Sequence, residues 1–180
     1  MRKLILFLIL FSYCFVQSCY SQKMEIRSEQ LDRIIWDLIN DRLVILGKEK
    51  IKHFKEGPVR EFAYRTCERL IPEDALFEHS IMDSISWYSG GECIYSFSQI
   101  SIGSNDYIHF LTNNNLEPIA KLVVDGWISS DSHREAISKD WYNSTTVATI
   151  IQIDKKRGYF KIVSSWYELD NLMFGNLGNF

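Results

Sequence analysis

Several common markers of chemistry are missing from this chain. There is no CxxC pair among its four cysteines, which argues against a cysteine-based metal site. Neither an HExxH helix motif nor a G-x-S-x-G elbow is present, so no zinc-peptidase helix and no activated serine is marked. The longest apolar stretch, Leu4 to Val16, falls short of the roughly 20 residues that span a bilayer as a helix. Positive charge is also scarce. Twenty Lys and Arg stand against 23 Asp and Glu, a formal net charge of -3, whereas a phosphate backbone is bound by clustered Lys and Arg. Nucleic acid is therefore not an expected partner. Lys48, Lys50, Lys52 and Lys55 form a small basic run, but Glu49 and Glu56 interleave with it, and it reads as a solvated helix end or loop. Internal repeats and low-complexity tracts are absent as well.

The first residues read as an export signal. Arg2 and Lys3 supply a positive start and Leu4 to Val16 the apolar core of a cleavable leader, residues 1–18. Without it the chain keeps 18 basic against 23 acidic residues, a net charge of about -5. Val16-Gln17-Ser18-Cys19 resembles a bacterial lipobox, in which the cysteine becomes the lipidated first residue of the mature protein. Cys19 is thus the expected membrane anchor, with ordinary cleavage after Ser18 or Ser21 as the alternative. Either route takes the protein out of the cytoplasm, to the cell envelope if lipidated and to a secreted or periplasmic state if not. Cys14 lies inside the signal, which leaves Cys67 and Cys93 for the fold. A disulfide and two buried thiols are both open.

At 180 residues, with 46% hydrophobic and 14% aromatic content, the chain suits one domain with a full core. Residues 19–30 are expected to be a tether, 31–170 the domain and 171–180 a loose tail. Leu31, Ile34, Ile35, Leu38 and Ile39 recur at helical spacing, with Ser28 placed to cap and Gly47 to stop the helix. Pro58 opens a second helix, striped by Val59, Phe62, Ala63, Cys67 and Leu70 and ended before Pro72. Gly90-Gly91 marks a turn before a short strand at residues 93–97. Asn115 is placed to cap a third helix that carries Trp127, and Ser132 with Glu135 has capping-box spacing for a short helix near His133. Alternation from Val147 to Ile153 and from Tyr159 to Trp166, around Asp154–Gly158, predicts a terminal hairpin. The fold class is α+β.

Three pieces carry the chemistry: Glu78-His79-Ser80, Gly90-Gly91-Glu92 and Ser130-Asp131-Ser132-His133-Arg134. His79 and His133 are candidate ligands for a divalent metal such as zinc, and Glu92 is a third ligand or an orienting carboxylate. With an open coordination position such a set activates water, which makes His79, Glu92 and His133 the catalytic candidates. Glu135 reads as a cap, and Arg134 as a clamp on a neighbouring carboxylate or carbonyl. His53 and His109 read as incidental. Ser80, Ser130 and Ser132 read as turn serines, Trp127 and Trp166 as core, and Asn143-Ser144-Thr145 as a glycosylation sequon idle in a bacterium.

The order of these pieces resembles the CAP superfamily (cysteine-rich secretory proteins, antigen 5 and pathogenesis-related 1) in its bacterial form. The resemblance spans Leu31 to Trp166 and includes Asn40 and Arg42 in the first helix, His79-Ser80, Gly91-Glu92, Trp127 and Ser130 to Arg134, then paired strands. Cys93 stands where the family commonly has Asn, and a second glutamate after the helix tryptophan is lacking. The resemblance implies a three-layer α-β-α sandwich with a C-terminal β-hairpin and a cleft holding His79, Glu92 and His133. It implies an exported binding or interaction domain for an extracytoplasmic ligand or protein. The alternative is a metal-dependent hydrolase acting on peptides or cell-envelope material.

Overall fold

The structure, a computed structural model, describes residues 23–79, 92–100, 107–138 and 144–169. The signal peptide, Cys19, Ser80, Gly90-Gly91, Asn143 and the 171–180 tail lie outside the described residues. In chain order the elements are β1 Lys23–Arg27, α1 Glu29–Ile45, β2 Lys52–His53, α2 Pro58–Leu70, β3 Glu92–Ile100, α3 Tyr107–Thr112, α4 Glu117–Ser129, α5 Asp131–Ile137, β4 Ser144–Asp154 and β5 Tyr159–Leu169.

The helix boundaries follow local chemistry. The Ser28 hydroxyl accepts from the Leu31 N–H at 3.2 Å, and Gly47 takes a φ of +74° just past the C-cap of α1. Pro58 occupies the first turn of α2, whose N-cap is Gly57 at a φ of +98°. Two capping expectations fail. The N-cap of α4 is Leu116 with no side-chain cap, because Pro118 in its first turn already removes one N–H that would need a partner. The α5 helix starts at Asp131 after Ser130, two residues earlier than the Ser132–Glu135 capping box requires, and its N-cap makes no side-chain bond.

β4 and β5 form the predicted hairpin, with Asp154 paired to Tyr159. The Asp154 carboxylate accepts from the N–H groups of Lys156 and Arg157, both at 3.1 Å, and Gly158 closes the turn at a φ of +61°. The sheet runs β1-β4-β5-β3, and β2 adds a short parallel pairing to β4. The segment expected to be a tether departs from that reading. Lys23–Arg27 pairs antiparallel with Ile150–Asp154, and Ser28 to Gln30 already belong to the first helix and its cap. A polar five-residue segment with only Met24 and Ile26 apolar gives little strand signal, because an edge strand solvated on one side needs little of it.

Alternation along β4 and β5 divides the core in two. Val147, Ile151, Ile153, Phe160, Ile162 and Trp166 face one way, under α1, α4 and α5. Ala148, Ile150, Val163 and Tyr167 face the other way, under α2. The result is three layers, helices on both faces of one mixed sheet, and the α+β class. Trp127 and Trp166 meet edge to face at 6.2 Å inside the first core, which confirms both as packing residues. Cys93 lies in that core and Cys67 in the opposite one, so both are free thiols rather than a disulfide. Gly126 in α4 lies against the Tyr95 ring, where a Cβ would stand 2.0 Å from a ring carbon.

Candidate functional site

The candidate site forms at the end of the sheet where β3 begins and β5 ends. Glu92, the first residue of β3, is paired with Tyr167 on β5. Both point to the α2 side, as the alternation with Cys93 and Trp166 requires. The Tyr167 hydroxyl donates to Glu92 Oε1 and shares a 2.8 Å hydrogen bond with Thr66 Oγ1 on α2. The other carboxylate oxygen, Oε2, lies 3.0 Å from His79 Nδ1. Thr66, Tyr167, Glu92 and His79 thus form one connected chain, running from a helix through the sheet to the surface. The Glu92 carboxylate is nearly buried, with 5% of its side chain exposed, while His79 is 57% exposed. With Nδ1 turned to the carboxylate, the imidazole presents its Nε2 edge outward.

His79 reaches this position from a held loop. Arg69 donates to the Glu78 carbonyl at 2.7 Å, and the Phe77 ring stands edge-on to His79 at 6.0 Å. Leu76 and Phe77 are exposed beside it. His133 arrives from the other layer, on α5, whose backbone is within reach of the Cys93 thiol in the sheet. It is half-buried. Burial holds its pKa below the ordinary histidine range, and the nearby His79 lowers it further. The structure thus joins His79 to Glu92, and His133 approaches from the other face of the sheet closely enough for His79 to depress its pKa.

The remaining candidates resolve one by one. Arg134 clamps the Ile128 carbonyl at 3.1 Å and the Asp131 carboxylate, as expected. Glu135 is exposed and does not serve as the predicted cap. The Ser130 and Ser132 hydroxyls bond to each other at 3.1 Å. Asn40 is buried, accepting from the Ile51 N–H at 2.7 Å and donating to the Trp36 carbonyl, while Arg42 pairs with Asp125 at 3.7 Å on the surface. His109 bonds to Asn113 on the exposed side of α3. His53 stacks on Trp36 at 5.4 Å beside a shallow cleft of about 320 Å³ that Arg33, Lys55 and Arg60 also line. Burial, then Arg60 and Lys55, lower its pKa to about 4.

Sequence reasoning missed Tyr167 and Thr66. Their only signal is the strand register that sets Tyr167 opposite Glu92, and that register depends on where the hairpin turns.

The donor set decides whether a metal centre is plausible here. Among the described residues no group of three or more His, Cys, Asp or Glu is arranged to hold a metal ion. His79 and His133 offer two nitrogens, and both Glu92 oxygens are already engaged by Tyr167 and His79. A catalytic zinc takes three protein ligands, so these residues do not fit one.

No family model and no curated protein matches the chain. Among solved structures, an outer surface protein from Borrelia burgdorferi aligns over 83% of this chain and 100% of its own, at 14% identity and a TM-score of 0.47. At that score the likeness carries no weight, and the three-layer description rests on the sheet topology and the two cores of this chain.

Proposed function

We propose that this protein is an exported CAP-type domain, anchored through Cys19, that acts as a binding or interaction module in the cell envelope. Its binding cleft is the rim where His79, Glu92 and His133 meet. The observation that carries the reading is the chain from Thr66 through Tyr167 and Glu92 to His79, which fixes one imidazole at the surface with its outer edge free of the carboxylate. A fixed, polar, water-accessible group flanked by exposed Leu76 and Phe77 suits recognition of a ligand with both a hydrogen-bonding and an apolar part. Hydrolysis needs a third metal ligand or an activated serine, and the described residues supply neither arrangement.

The test follows the His79 and His133 imidazole resonances of the full chain during a screen of small amphipathic fragments. We expect fragments that bind to shift both rings together, and the His79→Ala/His133→Ala variant to lose them. Fragments that bind strongly without moving either ring would remove the cleft from the function. Calorimetric zinc titration tests the hydrolase alternative, and we expect no stoichiometric binding. Stoichiometric binding that is lost in the double variant, together with peptide turnover, would establish the metal-dependent enzyme instead.

A further inference from the structure

We infer that the domain stands end-on at an anionic lipid surface, with the β4–β5 turn towards the headgroups and the His79–His133 cleft at the opposite end, facing away. The inference rests on the reading of Cys19 as a lipid anchor. It is carried by register. Cys19 precedes Lys23, the first residue of β1, by four positions, so the anchor lies at most about 14 Å from the start of the strand. Lys23 is paired with Asp154, the residue that enters the hairpin turn. The anchor and the turn therefore share one end of the sheet.

That end is chemically suited to anionic headgroups. The turn exposes Lys155, Lys156 and Arg157 in succession, and Lys23 stands beside it. Glu73 offsets part of this charge, pairing with Lys23 at 3.3 Å and Arg157 at 2.9 Å, and Asp74 is exposed nearby. Met24 and Ile100, both exposed, sit on strands at the same end, Ile100 opposite Tyr159. One acyl anchor gains firm attachment when a basic patch lies next to it.

The cleft is at the other end. From Tyr159, level with the turn, to Tyr167, level with Glu92, β5 runs eight residues, about 26 Å of strand. The far end has its own basic run, Lys48, Lys50, Lys52 and Lys55, next to β2, which pairs with Ser144 and Thr145. Charge alone does not choose between the ends. The anchor does, because a tether of about 14 Å is too short to let the domain invert and set an end about 26 Å away on the same surface.

The experiment places the full chain in phosphatidylcholine vesicles with and without phosphatidylglycerol. A donor fluorophore is attached at Asp74→Cys, by the turn, or at Glu135→Cys, on the cleft helix. Both positions are exposed, and the native Cys67 and Cys93 thiols are buried. Energy transfer to headgroup-labelled lipid should be several-fold stronger from position 74 than from position 135, and phosphatidylglycerol should widen the contrast. Lys155→Glu/Lys156→Glu should cancel the phosphatidylglycerol effect. Equal or reversed transfer with a lipidated Cys19 overturns the orientation and leaves the anchor standing. A mature chain whose mass shows no lipid on Cys19 overturns both.

Discussion

His133 and His79 come from opposite layers of the fold, so their mutual influence tests whether they share a cleft. The His133 pKa is lowered by burial first and by the charge of His79 second. Replacing His79 by Ala removes the second cause alone. We expect His79→Ala to raise the His133 pKa towards the ordinary histidine range without reaching it, read from imidazole proton shifts across a pH titration. Because the folded value lies below the unfolded one, His133 contributes stability above the ordinary histidine range and loses it as pH falls through the folded value. The variant should therefore also be less sensitive to mild acid than the parent. An unchanged His133 titration would mean that the two rings do not face a common space.

At the scale of elements, the links between them were harder to read than the elements. Alternation in residues 147–153 and 159–166 gave the hairpin because one face of each strand packs in each core, and helical spacing gave α1, α2 and α4 for the same reason. The histidine pieces were legible because each lies beside turn residues. What failed was local competition. Ser132 and Glu135 have the right spacing, yet Ser130 starts α5 first. What stayed hidden depends on register or close approach: Tyr167 behind Glu92, β1 on the open edge of β4, and Gly126 under the Tyr95 ring. Asn40 lies between these cases, visible as a motif residue but with an unforeseen job. Its side chain joins α1 to the segment entering β2 by accepting the buried Ile51 N–H. Asn40→Ala leaves that donor without its partner, which costs about 1–3 kcal/mol. The urea midpoint should fall accordingly, and an unchanged midpoint would show that the join is dispensable.

Across the whole molecule, the two helical layers must be held in step around a sheet in which one side of β4 is only partly paired. β1 pairs with Ile150–Asp154 and β2 with Ser144 and Thr145, which leaves a gap on the edge of β4 between them. Arg60 of α2 fills it, donating to the Val147 carbonyl at 3.3 Å and to Asp32 of α1 at 3.0 Å. Tyr64 completes the cluster, 2.7 Å from the same carboxylate oxygen. One buried guanidinium thus ties α1, α2 and the sheet edge together. Burial pushes the Asp32 carboxyl up to about 7, against the downward pull of Tyr64, Thr149 and Arg60. A carboxyl with a raised folded value binds its proton more tightly when folded, so its contribution to stability declines as pH rises from the ordinary carboxylate range to about 7. Arg60→Met removes a cation that lowers this value and so extends the decline upward. The variant's loss relative to the parent should be smallest and flat from about pH 4, the ordinary aspartate value, up to about 7, where Asp32 is protonated when folded in both. Above about 7 the loss should grow with pH towards about 3–5 kcal/mol, the cost of stranding a buried charge. Urea midpoints of parent and variant across that range separate the two contributions. A loss that grows with pH assigns Arg60 to the charge of Asp32, and a constant loss assigns it to packing and the Val147 carbonyl alone.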